Sequence, residues 1–202
     1  LREKVTKAHD GDVIEVTEDI TYNWDSTEST IKVNKNITIK STEGKKYTLN
    51  ARGTGADGGT AGQKIKGIFE VDDDKTLTLE NVILTLTEKY AVYVAENSSL
   101  TMKNVTINNC KTQYNAAGIY FNKGKDLILE NCRIKKCKGK GSQSSGGIDI
   151  QAPKGTVSIK DTPIENCEAE ANGGGINLYN GNNVQCKLEN VTVDSCSAKS
   201  GG

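Results

Sequence analysis

Leu100-Thr101-Met102-Lys103-Asn104-Val105-Thr106-Ile107 decides the fold, because the chain writes it again. Leu127-Ile128-Leu129-Glu130-Asn131-Cys132-Arg133-Ile134 and Cys186-Lys187-Leu188-Glu189-Asn190-Val191-Thr192-Val193 are close copies, and Leu77-Thr78-Leu79-Glu80-Asn81-Val82-Ile83-Leu84 is an earlier one. Val157-Ser158-Ile159-Lys160-Asp161-Thr162-Pro163-Ile164 is a degenerate copy with Asp in the Asn slot. That slot falls at Asn81, Asn104, Asn131, Asp161 and Asn190, so each copy follows the last after a short and nearly constant step. A unit this short cannot bury a core alone and must stack on its neighbours.

Composition agrees. Hydrophobic residues make up 35%, low for a ball-shaped core but ordinary for a thin coil, and 21 Gly against 2 Pro suit many tight turns. Lys+Arg and Asp+Glu both number 26, so no imbalance argues for nucleic acid or a membrane surface. No run approaches the ~18 apolar residues of a membrane helix, and no signal peptide is visible. Membrane insertion by this segment is not expected. The abrupt ends, with Ser200-Gly201-Gly202 resembling the start of another repeat, read as those of a fragment of a longer array.

Residues 1 to 10 predict a short helix, with Leu1, Val5 and Ala8 on one face and His9-Asp10-Gly11-Asp12 ending it. A helix there would plug the open end of a β-stack. Alternating runs at Val13 to Val16, Ile31 to Val33, Ile37 to Ile39 and Tyr47 to Leu49 predict strands, with longer turns at Asn23 to Ser29 and Arg52 to Gln63. Residues 1–66 are thus a cap helix with irregular first coils, and 67–202 regular coils of one continuous domain.

From Gly67 each coil carries three strands. The first holds Phe69/Val71, Val92/Val94, Ile119/Phe121, Ile148/Ile150 and Ile176/Leu178; the second holds Leu77/Leu79 and its copies; the third follows the Asn slot. Alternation puts these residues on one face of each strand. Three such faces close a triangular all-β tube whose like strands pair in parallel. The rival, an antiparallel sandwich, needs recurring Asn-Gly hairpins. Only Asn172-Gly173 and Asn180-Gly181 fit, and neither recurs at the period.

Two ladders follow. Asn tolerates the left-handed turn needed between strands two and three, and stacked Asn side chains can bond along the tube. Asn36-Ile37-Thr38, Asn104-Val105-Thr106 and Asn190-Val191-Thr192 also match a glycosylation sequon. The ladder reading is preferred because two of the three fall in a ladder expected to be buried. Asn97-Ser98-Ser99, in a turn, is the better acceptor. Cys110, Cys137, Cys167 and Cys196 form the second ladder, each at the same offset after the last apolar residue of strand three. A straight column does not converge on a metal as Cys-x2-4-Cys pairs do. Bridges between coils suit an oxidising setting, and buried thiols acting as small hydrophobes are preferred. Cys132 and Cys186 occupy core slots.

Gly146-Gly147-Ile148 and Gly174-Gly175-Ile176, each opening a coil that runs into Leu-x-Leu-x-Asn-x-x-Ile, resemble right-handed parallel β-helix proteins of the pectin-lyase-like class. Within it they look most like repeat-built surface proteins typified by the chlamydial polymorphic membrane proteins. That group's Gly-Gly-Ala-Ile tetrad is present only as Gly-Gly-Ile or Ala117-Gly118-Ile119, and its Phe-x-x-Asn motif does not recur. The resemblance covers 67 to 202 well. It implies a secreted or cell-surface protein, often an adhesin.

Enzymes of this fold class carry paired Asp residues, or calcium-ligating Asp with an Arg or Lys base, on the outer face of strand one. Here that face carries Glu70, Tyr93, Tyr120, Asp149 and Asn177, then Asp72, Ala95, Asn122, Gln151 and Tyr179. Glycoside hydrolysis needs carboxyl groups ~5 to 9.5 Å apart, whereas Glu70 and Asp149 lie three coils apart. The one histidine, His9, falls in the cap. No nucleophile triad, phosphate-binding or zinc motif occurs, so no catalytic residue is assigned. Asp72-Asp73-Asp74 is a weak calcium candidate, with a solvated acidic turn the preferred reading; no other cofactor is expected. Tyr93, Tyr120, Asn122, Asp149, Gln151, Asn177 and Tyr179 form the candidate binding face, able to stack on a glycan or on a host or partner-cell protein. The sequence therefore predicts a non-catalytic structural and adhesive module. The alternative is a polysaccharide-binding or polysaccharide-degrading β-helix with its catalytic residues elsewhere in a longer chain. End-to-end self-association through the open C-terminal coil is a further expectation.

Overall fold

The computed structural model describes residues 1–22, 30–51, 67–113, 115–142, 144–179 and 184–201. The two long turns expected at 23–29 and 52–63 lie outside the described residues. Helix α1 covers Arg2–Lys7, shorter than the expected 1–10, because Ala8 is already extended at φ −64° and ψ 158°. Val5 and Ala8 are buried at the end of the core, as a plug requires.

Every strand pair among the described residues is parallel, which excludes the hairpin sandwich. Strands of the first type (Ile31–Val33, Phe69–Val71, Val92–Val94, Ile119–Asn122, Ile148–Gln151, Ile176–Tyr179) form a six-stranded sheet. Strands of the second and third types form seven-stranded sheets. Register is kept from coil to coil: Leu79 faces Met102, Met102 faces Leu129, and Leu129 faces Ile159. All four are at most 1% exposed, so each inward column is a continuous strip of core.

The later coils add a fourth strand that the three-strand reading lacks. Lys111–Thr112, Lys138–Gly139, Glu168–Asn172 and Ser197–Ser200 make a four-stranded sheet after the third corner. Its inward positions are small (Thr112, Gly139, Ala169), and its outward positions are charged or polar, so it shows no run of large apolar residues.

Asn81, Asn104, Asn131, Asp161 and Asn190 all adopt left-handed backbone, with φ of 55°, 50°, 53°, 48° and 52°. The Asn104 side-chain amide donates to Asn81 Oδ1 at 2.8 Å, and that of Asn190 donates to Asp161 Oδ1 at 2.9 Å. Aspartate serves in this slot because its role there is to accept. The ladder runs along a solvated corner and is not buried as expected. It still occupies the amide nitrogens of Asn104 and Asn190. A second left-handed column, Asn109, Lys136, Asn166 and Ser195, makes the corner before the fourth strand.

The second sheet's outer face carries a column invisible at the level of single repeats. Glu15, Lys40, Glu80, Lys103, Glu130, Lys160 and Glu189 are register neighbours in that order. Strict alternation sets opposite charges across every step, where like charges would destabilise the pairing.

The Gly-Gly-Ile units are explained by close backbone approach. A Cβ on Gly118 would lie 2.2 Å from the Gly147 carbonyl oxygen, and one on Gly147 would lie 2.4 Å from that of Gly175. Glycine lets consecutive coils close at the entry to strand one, where Ile119 N–H bonds to Gly147 O and Ile148 N–H to Gly175 O.

Two substitutions test this account. Asn131→Val should cost about 1–2 kcal/mol in chemical denaturation, while Asn131→Gly should be close to neutral, because only the former opposes the left-handed turn. Gly147→Ala should cost about 1–3 kcal/mol through backbone collision.

Candidate binding face

The outward residues of strand one stack as expected. Lys32, Glu70, Tyr93, Tyr120, Asp149 and Asn177 form one column in register. Asn122, Gln151 and Tyr179 belong to the next. Backbone pairing therefore brings together side chains from six separate coils.

Tyr93 and Tyr120 have ring centroids 5.3 Å apart at 42°. Tyr90, which lies at the corner before its strand and was not among the expected residues, is buried and supports the strip from the side: its ring is 5.5 Å from that of Tyr93. These are tilted aromatic contacts within the separation of about 4.5–7 Å at which rings attract. Tyr90 is anchored by donating from its hydroxyl to Glu70 Oε2 at 3.1 Å, and Lys89 Nζ lies 4.7 Å from its ring centroid. Burial first, then the Glu70 charge, raises the Tyr90 phenol above its ordinary range. Asn122 Nδ2 donates to the Tyr93 hydroxyl at 3.4 Å. Tyr93 and Tyr120 are partly exposed, so their ring surfaces remain open to a ligand.

Asp149 departs from the expectation. It lies in the column but is only 2% exposed. Gln151 Nε2 and Asn177 Nδ2 both donate to its Oδ1, at 2.6 and 2.8 Å, and so close over it. Asp149, Gln151 and Asn177 form a fixed polar cluster at one end of the ring strip, not an open carboxylate. Tyr179 also departs: it is 62% exposed but stands two coils beyond Tyr120 in the second column, outside the ring stack.

The acidic turn does not gather into a metal site. Among the described residues no group of three His, Cys, Asp or Glu side chains could hold a metal ion, Asp72, Asp73 and Asp74 included. Asp72 is half-buried beside Lys32 and Glu70, and burial raises its carboxyl; Asp73 and Asp74 point into solvent. Glu70 and Asp149 are three strand steps apart, about 14 Å at the usual spacing.

All six cysteines are free thiols; Cys110, Cys137 and Cys167 are fully buried, whereas Cys196 and the core-slot Cys186 are only partly so. Among the described residues no helix is long and apolar enough to cross a membrane.

Burial raises the Asp149 carboxyl, against the lowering effect of the Asn177 and Gln151 bonds. The folded chain thus holds this proton to a higher pH than the unfolded chain does. The stability linked to that proton is fully present below the unfolded value of about 3.9 and is lost as pH rises through the folded value. Asp149→Asn keeps an acceptor oxygen without the charge. It should raise the thermal midpoint at neutral pH, and the gain should vanish in acid.

Comparison with known proteins agrees with the architecture. No curated protein and no solved structure matches the chain. A family model described as a right-handed beta helix region matches residues 62–202, spanning the regular coils and the whole Tyr93–Tyr120 face. With its parallel sheets and repeating corners, the chain belongs to the right-handed β-helix family.

Proposed function

We propose that this chain is a rigid, non-catalytic module of a secreted or cell-surface protein, which presents the Tyr93–Tyr120 pair, braced by the buried Tyr90, to a glycan or to a protein on a partner cell. The single observation behind this reading is the strip itself. Two partly exposed rings, Tyr93 and Tyr120, sit in contact on a parallel sheet; Asn122 holds the Tyr93 hydroxyl, and the buried Tyr90 ring, itself bonded to Glu70, packs against Tyr93 from the corner. A pre-ordered aromatic surface loses little side-chain entropy on binding. Stacking suits the apolar faces of sugars and of protein side chains alike.

Stiffness supports the structural part of the role, since each coil is bonded to the next along several sheets and length scales with coil number. The wide separation of Glu70 from Asp149, and the amide lid on the latter, argue against glycosidic cleavage on this face.

Binding of the whole chain to an immobilised glycan panel and to whole cells tests the proposal. Retention that falls about tenfold or more in Tyr93→Ala and Tyr120→Ala, with the fold intact by circular dichroism, is the expected result. Turnover of a uronate polymer by the chain, or binding indifferent to both substitutions, contradicts it.

A further inference from the structure

Glu70, Tyr93, Tyr120 and Asp149 follow one another up the outer face of the first sheet. Asp72, Ala95, Asn122 and Gln151 stand two residues on in the same coils and make the column beside it. Between Glu70 and Gln151 neither column holds a lysine or arginine. The two rings are therefore bracketed by carboxylates, one coil before Tyr93 and one coil after Tyr120, with no cation between. Flanking bases are engaged elsewhere. Lys32 is one coil beyond Glu70, with its Nζ 3.9 Å from Glu70 Oε1. Lys89 lies over the buried Tyr90 ring at one corner, and Lys123 at the opposite corner has Glu96 for its neighbour. Neutral amides surround the rings. Asn122 Nδ2 donates to the Tyr93 hydroxyl at 3.4 Å, and the Asn115 side-chain amide donates to the Tyr120 phenol. This leaves the phenol O–H groups to donate and the amide carbonyls of Asn122 and Gln151 to accept.

We propose that the Tyr93–Tyr120 pair binds an uncharged, ribbon-like polysaccharide of equatorially linked pyranose units, laid along the coil axis, and rejects acidic ones. The inference rests on the reading of this face as the binding face and adds the chemistry of its ligand. The ring centroids are 5.3 Å apart, so the face offers one ring per coil, a step close to the advance of one sugar along an extended chain of this kind. The C–H face of each pyranose is the apolar surface that a phenol ring covers. Its hydroxyls both donate and accept, as do the groups beside the rings.

Charge sets the selectivity. An acidic sugar over the rings would bring its carboxylate or sulfate between Glu70 and Asp149 with no counterion to meet it, and like charges placed together disfavour a partner. Asp149 lies under the Gln151 and Asn177 amides, yet its charge reaches the Tyr120 phenol. The same carboxylates argue against a protein partner. The centres of protein interfaces are depleted of charge, whereas this ring pair is closed at both ends by acids.

Affinity electrophoresis of the whole chain in native gels tests this. Neutral gels hold hydroxyethyl cellulose, glucomannan or xylan; acidic gels hold alginate or carboxymethyl cellulose, which shares its backbone with the first. Neutral polymers should retard the chain, and at low ionic strength hydroxyethyl cellulose should bind about tenfold or more tightly than carboxymethyl cellulose. Added salt should narrow that gap by screening the repulsion. Tyr93→Ala and Tyr120→Ala should each abolish the retardation. Retardation by acidic polymers alone, equal retardation by both celluloses, none by any neutral polymer, or neutral binding that survives both substitutions overturns the proposal. If it is overturned while retention on cells still falls in Tyr93→Ala and Tyr120→Ala, the face remains a contact for another partner. Retention on cells that both variants keep overturns the reading of the face itself. The two celluloses are compared on the unaltered chain, so they decide the point whether or not the variants fold.

Discussion

Parallel pairing between successive coils is the constraint on which the other features depend. Two parallel strands cannot be joined by a short hairpin, so the chain must travel a full winding before it meets its partner. Here each winding is one repeat of the sequence, and loops absorb the variation in its length while the strands hold register. Once register is held, every strand position becomes a column along the molecule. Inward columns are core; outward columns are whatever the repeats place there.

That single rule accounts for features of very different chemistry. The left-handed asparagines line up because each coil must turn at the same point. Thiols line up because the corner before the fourth strand admits a small buried side chain. Glutamate and lysine alternate on the second sheet, where each has its counterpart one strand away. Tyr93 and Tyr120 meet because one winding returns the chain to the same place on the first sheet. An aromatic face, a charge column and a thiol column are thus three outward or inward readings of one stacking geometry.

The sequence made the strand triplets, the Asn corner and the cysteine column legible, because each recurs with the winding period and its residue types have a physical reason to recur. Features without such a signal escaped it. Tyr90 lies on a corner, where alternation does not report direction, so its place beside Tyr93 became visible only in three dimensions. The fourth strand is short and lined by Thr112, Gly139 and Ala169, with no run of large apolar residues. The Glu–Lys alternation is spread over seven coils and shows only when register is known. Asp149 sits at an outward position, and alternation foretold exposure; the two amides that cover it come from its own strand and the next coil, a contact no pattern encodes. Asp72-Asp73-Asp74 reads first as a solvated acidic turn, and Asp73 and Asp74 are exposed.

Inter-coil nuclear Overhauser effects measure the central claim most directly. In solution, backbone contacts should link Ile119 with Ile148, Leu127 with Val157, and Thr106 with Arg133, all in parallel register and one winding apart. Contacts linking sequence-adjacent strands in antiparallel order, or a register shifted by one residue between these coils, would contradict the account.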